Sequence, residues 1–110
     1  MSLPVSISGR AEADLTHQYR WYLDHGGVAV AVRFLAAFDA TAIRLAAHPE
    51  LGRRRRFRAP ELGGVRSFPV AGPFGGHLVF YQAGGATMEV KRVMHGARDL
   101  PRRLLEPPEA

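Results

Sequence analysis

Apolar and polar positions change their period twice along the chain. Leu3, Val5 and Ile7 alternate with small polar residues, and Pro4 near the start suits a short strand at a sheet edge better than one in mid-sheet. From Arg10 to about His25 the period becomes helical. Ala11, Leu15, Tyr19, Tyr22 and Leu23 line one side, Ser8 or Gly9 stands at the N-cap, and Glu12 and Asp14 complement the N-terminal dipole. Gly26-Gly27 ends this helix. A second helix, from about Val28 to Ala47, puts Ala31, Leu35, Phe38, Ala42 and Leu45 on one stripe before Pro49 stops it. So short a turn forces the two into an antiparallel hairpin over about residues 10–47.

Between Pro49 and Gly64 charge is dense and periodicity absent, which predicts an exposed basic loop over 50–63. Alternation then returns. Arg66, Phe68 and Val70 oppose Val65 and Ser67, with Pro69 arguing for an outer strand or a bulge. Turns at Pro73–Gly76 and Gly84-Gly85 set off two further strands, His77–Gln82 and Thr87–Met94, so a meander occupies about 64–94. A C-terminal arm, 96–110, follows; Asp99, Leu100 and Leu104 allow either a short helix or an extended segment. Helices first and strands later predict an α+β domain. Its small antiparallel sheet is the N-terminal strand plus the three-stranded meander, with the helical hairpin on one face. The other face is expected to be free of helix and to carry a binding surface.

Composition narrows the classes. At 110 residues, 46% hydrophobic and 23% charged, the chain is expected to be one soluble domain. No apolar run approaches a membrane span and the first residues lack the pattern of a secretion leader, so a cytoplasmic protein with no membrane partner is expected. There is no cysteine, and His17, His25, His48, His77 and His95 show none of the short spacings of a metal site, so neither metal nor cofactor is implied. The net charge of +5 favours an acidic partner. Fourteen of the fifteen basic residues are arginine, whose planar fork suits phosphate or carboxylate.

Several stretches, in order, resemble a family. They are Ala13-Asp14-Leu15 in the first helix, Leu45-Ala46-Ala47-His48-Pro49-Glu50-Leu51-Gly52-Arg53 at the close of the second, Val65-Arg66-Ser67-Phe68-Pro69-Val70, Leu78-Val79-Phe80-Tyr81, and Arg92-Val93-Met94-His95-Gly96-Ala97-Arg98-Asp99-Leu100. From about Ile7 to Leu104 the chain is similar to the RelE/ParE superfamily of toxins from type II toxin-antitoxin modules, and its Phe-Pro-Val strand and His-Gly-Ala-Arg-Asp-Leu run are more similar to the ParE branch. The resemblance implies a small toxin neutralised by a ParD-like antitoxin and acting on DNA gyrase. Its alternative is a RelE-like, metal-independent endonuclease that cuts mRNA on the ribosome. A homodimer and a toxin-antitoxin hetero-oligomer are the assemblies considered.

Ribonuclease chemistry without a metal needs a base, an acid and cations around the phosphate. The candidates are Arg66, Tyr81, Lys91, Arg92 and His95, but strand alternation puts Lys91 and His95 on the face opposite Arg92 and splits the set. His95, followed by glycine at a strand end, reads as a fold-supporting residue whose ring bonds nearby backbone, and no catalytic residue is assigned in the ParE reading. Arg98, Asp99, Arg102 and Arg103 in the C-terminal arm are the expected target contacts. Trp21, Tyr22, Phe34 and Phe38 are first of all core or hairpin residues. Trp21 falls off the main stripe, so this group is also the expected surface for an amphipathic antitoxin helix. Arg54, Arg55 and Arg56, within the run Arg53–Arg58, are assigned to the antitoxin as well; a solvated surface or contact with DNA is the other reading of that run. Phe57 inside it is expected to anchor the loop to the core, with stacking on a base as the other reading.

Overall fold

The computed structural model describes residues 2–96. Its elements are β1 (Val5–Ile7), α1 (Gly9–Gly26), α2 (Val28–Ala47), β2 (Arg53–Arg54), β3 (Arg66–Pro69), β4 (His77–Gly84) and β5 (Thr87–His95), with single 3-10 turns at Pro49–Leu51, Pro60–Leu62 and Gly72–Phe74. The strands form one sheet in the order β1-β5-β4-β3-β2. The expected α+β architecture, a helical hairpin on a small sheet, is what the chain adopts.

Both helices follow from their caps and stripes. The Ser8 hydroxyl accepts the Ala11 amide, which starts α1, and also donates to the Lys91 carbonyl, which pins that start to β5. Gly27, at φ +87°, is at once the last cap of α1 and the first of α2. A residue with a side chain is strained in that conformation. Ala31, Phe34, Phe38, Thr41, Ala42, Leu45 and Ala46 are the buried positions of α2. Phe34, Phe38, Ala42, Leu45 and Ala46 of these join Val79, Tyr81, Met88, Val90 and Val93 of the sheet in the main core. Burying each phenylalanine there stabilises the fold by about 2–3 kcal/mol.

The sheet differs from expectation in three ways. β1 pairs with β5 in parallel, Val5 opposite Met88 and Ile7 opposite Val90, so the sheet is mixed rather than wholly antiparallel. Parallel neighbours need a long connection, and here it runs from α1 through β4. The basic segment is not all loop, because Arg53 and Arg54 pair with Ser67 and Arg66 as a fifth, edge strand. Finally, the face away from the helices is not bare. Leu62 and Val65 pack on Phe80 and Met94 there, with Phe57, Ala59 and Leu78 around them, so the 57–65 segment forms a second small core over that face. Phe57 is the anchor it was expected to be.

A bulge interrupts the β4–β5 ladder. Phe80 lies opposite Arg92 but Tyr81 lies opposite Val90, leaving Lys91 as the extra residue. Beyond Val90 the outer edge of β5 has no strand beside it, and α1 takes that place. The Asp14 carboxylate accepts the Val93 amide at 3.0 Å, and the Gln18 side chain donates to the Val93 carbonyl at 2.7 Å.

Candidate functional site

The outer face of α2 is the most unusual surface of the molecule. The helix has twenty residues, about 30 Å at 1.5 Å per residue, of which Arg33, Asp39 and Arg44 are charged. Opposite its buried stripe stand Val28, Ala29, Val32, Ala36, Ala40 and Ile43, all exposed. Val28 is 63%, Val32 52% and Ile43 68% exposed. Helices that cover a core normally present a polar outer face, so an apolar one lacks a partner. Trp21, 52% exposed, and Leu23 are further exposed apolar side chains, on different sides of α1. The side chains at positions 29, 36 and 40 are small, so another helix can approach closely. Sequence reasoning looked for one stripe and missed this second one, although three charges in twenty residues was a legible sign of it.

Of the residues expected to meet an antitoxin, Trp21 is on the surface, where its ring stacks on His25 at 4.2 Å between centroids. Phe34 and Phe38 are not on the surface. They are 0% and 2% exposed, spent on the core, and cannot dock a partner. Tyr22 is half-buried, in contact with Phe34 and Phe74.

Beside Trp21 a cavity of about 300 Å³ is lined by His17, Gln18, Trp21, Tyr22, His77 and His95. The Tyr22 hydroxyl and His77 Nε2 share a hydrogen bond of 2.8 Å, and the His77 and His95 rings meet edge to face at 4.8 Å. Burial, with the charge on His95 second, pushes the His77 pKa down to about 4. Burial raises that of Tyr22. His77 is therefore a neutral packing residue at pH 7, not a proton donor of the physiological range.

The five candidates for RNA chemistry do not converge. Tyr81 is fully buried on the helix side; its hydroxyl donates to the Pro49 carbonyl at 2.6 Å and accepts the Gly52 amide at 2.7 Å. Burial raises its pKa. Arg66 Nη1 donates to the carbonyls of Glu50 and Gly52, so it clamps the same turn. Lys91 pairs with Glu89 at 2.7 Å beside a cavity on the far side of the sheet, next to Leu62 and Val65. Arg92 is buried on Asp14, with Nε–Oδ2 2.7 Å and Nη2–Oδ1 2.9 Å. His95 sits opposite His77 across the ladder. The bulge at Lys91, not simple alternation, separates these residues, and it corrects the expected faces: Lys91 and His95 line different cavities.

In the arginine run, Arg53, Arg54, Arg56 and Arg58 are exposed. Arg55 is half-buried; its Nε donates to Ser67 Oγ at 2.7 Å and its guanidinium lies over Phe80, so it secures the strand rather than facing outward. Arg98, Asp99, Arg102 and Arg103, the expected target contacts, lie outside the described residues. No group of three or more metal-ligating side chains gathers among the described residues. No helix among them is long and apolar enough to cross a membrane.

A solved structure described as the chromosomal ParDE TA system from P. aeruginosa has this fold, with a TM-score of 0.70 at 18% identity, covering 87% of this chain and 98% of that one. No curated protein matches the sequence. A family model described as the ParE toxin of type II toxin-antitoxin system, parDE, matches residues 5–100, from the first strand to beyond the last. With the helical hairpin, the mixed sheet and that match in agreement, the chain belongs to the ParE toxin family of type II toxin-antitoxin systems.

Proposed function

We propose that this toxin acts by binding DNA gyrase, with no active site of its own, and that a ParD-like antitoxin neutralises it by laying an amphipathic helix along the outer face of α2. The observation that carries the antitoxin half is the apolar stripe of Val28, Val32, Ala36, Ala40 and Ile43, exposed in a protein whose family works as a pair. An apolar helix face of this length is the surface that helix-in-groove recognition uses. The gyrase half is supported by the family and by the engagement of Arg66, Tyr81, Lys91 and Arg92 in contacts within the fold. Trp21, exposed on α1, is a second proposed antitoxin contact, and Arg98, Asp99, Arg102 and Arg103 remain the proposed contacts to gyrase.

One experiment tests both halves. Purified toxin is added to a gyrase supercoiling reaction, alone and with its antitoxin. Toxin alone is expected to inhibit supercoiling, and the antitoxin to restore it. The variant Val32→Asp/Ile43→Asp is expected to inhibit as before but to escape the antitoxin. Unchanged supercoiling at micromolar toxin would refute the gyrase reading. Full neutralisation of the double variant would refute the docking surface, and a variant that turns from dimer to monomer without escaping would assign the stripe to self-association.

A further inference from the structure

The whole net charge of the protein resides in six residues. Arg53, Arg54, Arg55, Arg56 and Arg58 are five of the fifteen basic side chains, and the other ten are matched by ten acidic ones, so the chain without this segment is neutral. The fold holds the strip in place. Tyr81 and Arg66 clamp the turn that leads into it, β2 pairs with β3, the Arg55 amide donates to the Val65 carbonyl at 2.9 Å, and Phe57 packs into the far-face core. Like charges are thereby held together: Arg53 adds to the burial that depresses the Arg55 pKa. Among the described residues, no carboxylate forms an ion pair with Arg53, Arg54, Arg56 or Arg58.

We propose that this strip binds the phosphate backbone of duplex DNA, independently of sequence and of the surface that meets the antitoxin. The chemistry selects the partner. An acidic peptide would use apolar anchors beside its charges, but Phe57, the one apolar side chain within the strip, packs partly against the far-face core. That same packing takes up part of the ring on which single-stranded bases would stack. Four exposed guanidinium groups remain along a pre-set sheet edge, Arg53 and Arg54 on its two faces, and such groups bind phosphates without reading a base edge. The proposal does not depend on gyrase being the target, since it concerns the toxin and DNA alone.

The test is fluorescence anisotropy of the full chain with a labelled 20-base-pair duplex between 50 and 200 mM salt. Four phosphate contacts give a slope of log K against log salt of about −3.6, a loss of roughly 150-fold over that range. Each single substitution Arg53→Gln, Arg54→Gln, Arg56→Gln or Arg58→Gln is expected to reduce the slope by about 0.9, and the quadruple variant to abolish binding while keeping the circular dichroism spectrum and urea midpoint of the parent. Arg20→Gln/Arg33→Gln, exposed on the hairpin, is expected to leave binding unchanged. Absence of binding at 50 mM salt would overturn the proposal, as would a quadruple variant that binds like the parent, or an oligoglutamate of equal charge that binds as tightly as the duplex.

Discussion

Replacing Asp14 by alanine probes how α1 is fastened to the sheet. Its carboxylate accepts Arg92 Nε at 2.7 Å, Arg92 Nη2 at 2.9 Å and the Val93 amide at 3.0 Å, and the two side-chain partners are only 8% and 6% exposed. Breaking a buried ion pair from one side costs about 3–5 kcal/mol, and a buried amide left without an acceptor costs about 1–3 kcal/mol. The two overlap, so Asp14→Ala is expected to lose about 5 kcal/mol. Arg92→Ala leaves the Val93 amide bonded and should lose about 3 kcal/mol. The double variant should lose about 5 kcal/mol rather than the combined figure, because the carboxylate and guanidinium act as a unit; the coupling is then about 3 kcal/mol. Urea unfolding reads this directly. At an m-value of about 1.5 kcal/mol/M, Asp14→Ala moves the midpoint down by roughly 3 M. That is a large part of the about 5–15 kcal/mol by which a domain of this size is stable, so the cycle is best measured at 10 °C. A shift below about 1 M, or a double variant that loses the full sum, would refute this account of the pair.

Two other substitutions test contacts that decide local order and pH response. Tyr81→Phe removes the acceptor of the buried Gly52 amide and the donor to Pro49, at an expected cost of about 2 kcal/mol, and amide exchange at Gly52 should accelerate with it. An unchanged exchange rate would count against the clamp. His77 in the folded chain titrates at about 4, whereas in the unfolded chain it titrates near 6.5. The unfolded state therefore takes up the proton first; the contribution is full above 6.5 and is lost as pH falls from there towards 4. Between pH 7 and pH 5 this amounts to about 2 kcal/mol, and His77→Gln should remove that share of the slope. A variant with the parental acid limb would show that His77 is not the group responsible.

Sequence periodicity located the helices closely, α2 to the residue, because each has one strong apolar stripe and a clear stop at glycine or proline. It could not locate β2. Two arginines have no strand pattern of their own, and only the partner strand and the Tyr81 clamp make them extended. The faces of β5 were misread for a related reason, since a bulge is a property of the pairing and leaves no mark in one strand. Asp14 was legible in part. Taken as a dipole-complementing acid, it is instead the buried acid of the hairpin, and its place one turn from Ala11 on the buried side of α1 was the available signal. The candidate docking face was present in the sequence as a second apolar line, Val28, Val32 and Ile43, which a search for a single core stripe passes over.

The extra residue in β5 carries a consequence for how such chains vary in length. If Lys91 were deleted, Val90 would still face Tyr81, Arg92 would still face Phe80 and Val93 would still face Val79, so the ladder would close without any other residue changing its neighbour. What the insertion contributes is a local bend beside Arg92 and the carbonyl that accepts the Ser8 hydroxyl at the start of α1. Insertion, arginine and Asp14 thus act together in fastening α1 to β5. In a relative shorter by one residue at this point, an acid in the second turn of the first helix would still accept the Val93 amide but should contribute less to stability than Asp14 does here.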